Sequence, residues 1–192
     1  MSRLSHVAAD GSLTMVDVGN KNATERIAVA RAEVRLTPKA AAAVREATLA
    51  KGDALVAAQI AGIMAAKQTA SLIPLTHPLP LASVEVTFAW DGDLLLIDAR
   101  AKTVAQTGVE MEAMTAACVA ALTVYDMTKA ADKGITIERV RLLAKSGGKN
   151  GSWKASRITG QRSSFSPTAQ RVESALTRAF RSCAKCSTSG LP

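Results

Sequence analysis

Apolar positions along the chain fall into blocks of two different spacings, and Pro, Gly and Asp mark the breaks between them. Residues 26–36 read RIAVARAEVRL, an imperfect alternation carried by Ile27, Val29 and Val34 that predicts a strand. Pro38 opens a helix expected to reach Thr48, because proline is tolerated in the first helical turn. Lys51-Gly52-Asp53 is a break, and residues 54–71 read as a long Ala-rich helix that ends before Pro74. Residues 84–89 and 94–103 read as strands, and the Asp91-Gly92 pair between them favours a tight hairpin turn. Thr107-Gly108-Val109-Glu110 has the pattern of a capping box, in which the first and fourth side chains each satisfy a backbone N–H at the helix start. The longest helix follows, from Glu110 to about Asp132, with Gly134 as its stop. Residues 135–144 form a last strand, and residues 145–151 a glycine-rich basic loop. A further short strand is expected over residues 15–18.

This order (strand, helix, helix, hairpin, helix, strand) predicts an α+β domain with an antiparallel or mixed sheet and helices packed on one face. A ferredoxin-like arrangement is the natural expectation. The domain is expected to occupy residues 1–159. Beyond Gly160, Ser, Thr, Arg and Ala dominate and no apolar period persists, which predicts a basic, poorly ordered tail over 160–192, apart from a short helix over 170–180.

Composition refines this picture. Of 192 residues, 48% are hydrophobic but only 3% aromatic, so the core must be built on Ala, Val, Leu and Ile, with helices that approach closely through small side chains. Scarce aromatics also weigh against a nucleic-acid surface that stacks bases. The net charge is +8, but residues 1–159 hold 19 Lys and Arg against 15 Asp and Glu, and residues 160–192 hold 5 against one. Half of the basic excess thus belongs to the tail, and the remainder suits an anionic small ligand. The start MSRLSHVAADG carries no apolar leader, and the apolar stretch over 54–73 is interrupted by Gln59, Lys67, Gln68 and Ser71. Cys118, Cys183 and Cys186 do not make a disulfide framework. A cytoplasmic protein without membrane or nucleic-acid partners is expected. His6 and His77 are the only histidines, so no metal site and no cofactor is expected from this pattern.

Four places concentrate polar groups that a simple core does not need. His77 lies in Leu75-Thr76-His77-Pro78 between apolar stretches, where it either packs as a core histidine or meets a ligand. In Glu110-Met111-Glu112 the capping box accounts for Glu110, whereas Glu112 is only favoured by the helix dipole. Asp126 and Lys129 stand three apart late in the same helix, a spacing that also makes ordinary surface pairs. Lys145-Ser146-Gly147-Gly148-Lys149 can cradle phosphate oxygens, yet lacks the glycine spacing of a Walker loop. Lys51 and Lys67 read equally as solvated lysines. Together these groups make a lysine-rich site with a few acids and one histidine, suited to an anionic ligand and to proton transfer.

Several segments resemble one family. They are Met15-Val16-Asp17-Val18, Lys51-Gly52-Asp53, Ala61-Gly62-Ile63-Met64-Ala65-Ala66-Lys67, Ile73-Pro74-Leu75-Thr76-His77-Pro78-Leu79, Thr107-Gly108-Val109-Glu110-Met111-Glu112-Ala113, Ala121-Leu122-Thr123-Val124-Tyr125-Asp126-Met127 and Val140–Lys149. In order and spacing they are similar to the cyclic pyranopterin monophosphate synthases, the molybdenum cofactor biosynthesis protein C family, over about residues 1–155. The resemblance implies a ferredoxin-like subunit in a hexamer built as a trimer of dimers, with sites at dimer interfaces. The implied substrate is a cyclised dihydro-GTP, converted to cyclic pyranopterin monophosphate with loss of pyrophosphate. Asp126 matches the family's catalytic aspartate, and Lys51 and Lys129 match lysines of acid–base catalysis. Leu75, Thr76, His77, Met111 and Glu112 match substrate-binding segments, and Lys67 and Lys145 further site lysines. Thr76 and Met114 depart mildly from the family's usual Cys and Leu. Lysines clustered in this way are expected to lower one another's pKa by repulsion, which would free one as a base. The rival reading is a non-catalytic nucleotide-binding regulatory subunit that kept the fold and the basic pocket.

Overall fold

The computed structural model describes residues 10–148 and 151–155. The expected tail, with its short helix over 170–180, lies outside the described residues, as does Lys149. Nine elements follow in order: β1 (Thr24–Arg35), α1 (Pro38–Arg45), α2 (Ala54–Lys67), α3 (Thr69–Leu72), β2 (Leu81–Asp91), β3 (Leu94–Ala105), α4 (Glu110–Thr128), β4 (Thr136–Ser146) and β5 (Trp153–Lys154). The sheet order is β2-β3-β1-β4-β5, and every neighbouring pair is antiparallel. The sheet is therefore antiparallel rather than mixed. β1 and β2 run parallel with β3 between them, and β3 and β4 run parallel with β1 between them. These are two interleaved βαβ units, the ferredoxin-like arrangement.

Most elements follow from local chemistry. Thr37 caps α1 by accepting a hydrogen bond from Ala40 N, and Pro38 follows in the first turn. Asp53 caps α2, its Oδ1 accepting from Leu55 N at 2.9 Å and Val56 N at 3.1 Å. The β2–β3 hairpin turns tightly at Gly92-Asp93, with Asp91 paired to Leu94.

Helices pack on one face of the sheet through small residues. Ala28, Ala30, Ala32 and Val34 of β1 and Leu95, Ile97, Ala99 and Ala101 of β3 meet Ala54 and Ala58 of α2 and Ala113, Ala116, Ala117, Ala120 and Ala121 of α4. α2 and α4 cross so closely that a Cβ added at Gly62 would lie 3.0 Å from the Ala116 carbonyl oxygen and 3.3 Å from Ala120 Cβ. The other face of the sheet carries charged pairs. Arg31 holds Asp98 through two hydrogen bonds of 2.6 and 2.7 Å, Glu33 meets Arg139 and Arg141, and Arg35 pairs with Glu138 at 2.7 Å. This double use of β1 explains why its alternation reads as imperfect: from Ile27 to Val34 every residue is buried.

Four local expectations are corrected. Residues 15–18 form no strand; only Leu13 makes an isolated bridge. α1 stops at Arg45 because Ala47 adopts a left-handed conformation, φ +52°, and Thr48 N returns to the Ala43 carbonyl. α2 ends at Lys67, and the single turn of α3 follows after Gln68. α4 ends at Thr128, four residues before the expected stop at Asp132, whose carboxylate instead accepts from Thr37 Oγ1 and Gly134 N.

Candidate active site

The site residues gather at the two ends of the α2–α4 layer. The helices are antiparallel, since Lys51, just before α2, reaches Asp126 near the end of α4. There Lys51 Nζ donates to Asp126 Oδ2 at 2.8 Å and to its backbone carbonyl at 3.0 Å, while Lys129 Nζ lies 2.6 Å from Oδ1. A cation at that carbonyl also complements the negative end of the helix. Hydrogen bonds from Lys129 and then Lys51 hold the Asp126 carboxyl down at about 2, so it is a carboxylate at any pH near neutrality. The same contact raises the Lys129 pKa. The expected repulsion between lysines is therefore outweighed at Lys129 by the carboxylate between the ammonium groups, and Lys129 is held protonated.

At the other end, the exits of β3 and β4 meet the entrances of β1 and β2. The capping box expected at α4 is absent. Val109 is the N-cap residue and no side chain caps the helix. Glu110 instead accepts from Lys145 Nζ at 2.8 Å, drawn across the layer to a cation on β4. Glu112 is 4% exposed. Its burial, with a smaller contribution from the Glu110 charge, raises its pKa. Met111 beside it is exposed. Lys67 closes α2, and the half-buried Leu75, Thr76 and His77 lead from α3 into β2 at this end, with Thr76 Oγ1 donating to the Ile73 carbonyl at 2.9 Å.

A residue that sequence reasoning missed also stands here. Arg26, the third residue of β1, donates to the carbonyls of Ala105 at 3.4 Å and Gln106 at 3.3 Å. Gly147 and Gly148 lie against it: a side chain at Gly148 would collide with the Arg26 guanidinium, and one at Gly147 with the Glu25 carbonyl. The glycine loop is thus seated on β1, beside Arg26 and Lys145, and three basic side chains (Arg26, Lys67 and Lys145) belong to this end. The paired glycines were a visible signal. Their partner was not, because strand pairing brings Arg26 there from 122 positions away in sequence, by the numbering.

Within one chain the two ends do not form one site. Glu112 and Asp126 are separated by 14 positions on α4, roughly 21 Å at 1.5 Å per residue. Among the described residues no group of three or more His, Cys, Asp or Glu could hold a metal ion, and no helix is long and apolar enough to cross a membrane.

The chain thus joins an antiparallel ferredoxin-like sheet to a helical layer with a carboxylate between two lysines at one end and a basic cluster with a buried acid at the other, the make-up of an α+β protein. The profile of the MoaC family matches residues 15–148, and the chain belongs to that family. It is 54% identical over 156 residues to the cyclic pyranopterin monophosphate synthase of Thermomicrobium roseum, covering 80% of this chain and 94% of that protein. It is 52% identical over 155 residues to the protein of that name from Novosphingobium aromaticivorans, covering 81% and 99%. With the one from Bordetella avium it shares 53% over 153 residues, 79% and 94% of the two chains.

Proposed function

We propose that this chain is a lyase of molybdenum cofactor biosynthesis that converts a cyclised dihydro-GTP to cyclic pyranopterin monophosphate and releases pyrophosphate. The observation that carries this reading is the Lys51–Asp126–Lys129 cluster in a chain about half identical to synthases of that name over most of its length. Rebuilding the base requires repeated proton transfers, and closing the cyclic phosphate requires a substrate hydroxyl to attack the inner phosphorus while the bond to pyrophosphate breaks. Lys129, held protonated, serves as a proton donor; Asp126 keeps both ammonium groups oriented; Lys51 takes the complementary acid–base part. Lys67, Lys145 and Arg26 supply cations for the triphosphate and the leaving pyrophosphate. Leu75, Thr76, His77, Met111 and Glu112 frame the base.

Because its two halves lie about a helix length apart, the site is assembled between subunits. Exposed apolar residues on both helices support this: Val56, Ile60 and Met64 on α2 and Met111, Leu122 and Tyr125 on α4. A two-fold axis near the middle of α4 sets the start of one helix beside the end of its partner and produces two equivalent sites. Three such dimers make the hexamer, acting in the cytoplasm. The decisive experiment incubates the protein with the cyclised dihydro-GTP and follows pyrophosphate and pterin together. Equal release of both is expected, and binding without turnover would instead establish the regulatory reading.

A further inference from the structure

We infer that Asp53 is a positioning residue for Lys51: by capping α2 it fixes where the Lys51 ammonium stands relative to Asp126. The inference rests on the synthase reading for its kinetics but not for its geometry. Lys51 is not on a helix. It sits in the turn closed by Gly52 N donating to the Leu49 carbonyl at 3.0 Å, three residues before α2 begins. A lysine on such a turn has four rotatable side-chain bonds and a mobile backbone, yet its ammonium must meet two acceptors of one residue on another helix. Asp53 removes the backbone freedom. Its carboxylate takes the N–H groups of Leu55 and Val56, and its own carbonyl accepts from Ala57 N at 3.1 Å. The first turn of α2 is thereby closed immediately after Lys51, and Ala54, the first residue of that turn, is buried in the core.

The rest of α2 carries this placement to Asp126. Ala58 is fully buried, and Gly62 lies so close to the Ala116 carbonyl of α4 that an added Cβ would stand 3.0 Å from it, so the two helices are in close contact there. Asp126 belongs to the same α4. The path from cap to ion pair is therefore a closed ring: Asp53, α2, the Gly62 contact, α4, Asp126, Lys51. Asp53 touches neither lysine of the cluster through a hydrogen bond or ion pair; it acts through the backbone that Lys51 leaves.

A double-mutant cycle tests this. Asp53→Ala should lower kcat on the order of tenfold, with KM changed far less, and Asp53→Ser, which restores an acceptor at the cap, should return kcat to near wild type. Lys51→Ala sets the floor, and adding Asp53→Ala to it should cost nothing more, since the effect runs through Lys51. If the two losses multiply, or if Asp53→Ala turns over normally, the inference is wrong. Should Asp53→Ala not fold, Asp53→Gly removes the same carboxylate at a smaller cost to the helix. If wild type itself fails to turn over, the synthase reading falls, and a crystal structure of Asp53→Ala decides the positioning separately. Lys51 Nζ remaining at 2.8 Å from Asp126 would overturn the inference, and its departure would uphold it.

Discussion

If Glu112 and Asp126 serve one reaction centre from two different chains, two inactive variants must repair each other. The variants are Glu112→Gln, which keeps the buried volume, and Asp126→Asn, which removes the charge that orients Lys51 and Lys129. The roughly 21 Å along α4 exceeds what one small substrate can bridge at its reacting ring, so on the proposed reading a site takes the start of one α4 and the end of another. Random pairing of equal amounts makes about half of the dimers mixed. Each mixed dimer has one site with both native acids and one with neither, so activity should return to roughly a quarter of the wild-type value. The assay is pyrophosphate release after subunits are exchanged by mild denaturation and refolding, with exchange verified by a mass tag on one variant. Activity that stays at the sum of the two parents, despite proven exchange, would refute the shared site.

Three further outcomes are expected. Lys51→Ala and Lys129→Ala should each lower turnover on the order of a hundredfold while calorimetry shows ligand binding largely retained; a variant with near-normal turnover would lose its assigned role. Glu112 should make stability fall with pH: its folded pKa is raised above the ordinary 4.5, so its contribution is complete below that value and lost as pH rises through the raised one. Glu112→Gln should therefore melt higher than wild type at pH 8 and show little advantage at pH 4, and the reverse order would contradict the burial argument. Ala47→Gly should raise stability by up to about 1 kcal/mol, because a Cβ at φ +52° is strained and glycine is not; a lower melting temperature would refute this.

The fold was legible where local rules and packing agree. The Asp-Gly turn, the strands that flank it and the Ala-rich helices all follow from short-range chemistry, and the two βαβ units follow from their order. Helix starts were legible, at Pro38 and Ala54 behind the caps Thr37 and Asp53 and at Glu110 without one, whereas the C-terminal ends of α1, α2 and α4 fall three or four residues short of the expected ones. At α4 the capping pattern misled, because Glu110 gains more from Lys145, a cation 35 positions away, than from a nearby backbone N–H. The candidate site was legible as residues but not as geometry. Asp126 and Lys129 are neighbours in sequence, whereas Lys51 reaches them only because α2 and α4 are antiparallel. Arg26 was invisible since its surroundings are created by strand pairing.

The charged pairs on the face of the sheet away from the helices bear on how this chain avoids folding into the wrong alignment. β1 presents Ala28, Ala30 and Ala32 to the helices, and three alanines in succession can hardly tell one two-residue offset from another. On the opposite face the offsets are not equivalent. Sliding β1 by two positions against β3 would take Arg31 from Asp98 to Leu96 or Arg100, and the same slide against β4 would separate Glu33 from Arg139. A desolvated arginine facing leucine or another arginine is costly, so misaligned sheets are penalised even though their alanine faces would fit. The ion pairs thus act as a proofreading code for a core too uniform to proofread itself. Because β1 is the central strand, that alignment also decides which residues of β3 and β4 arrive at each end of the sheet, and so whether Lys145 comes to the same end as Arg26.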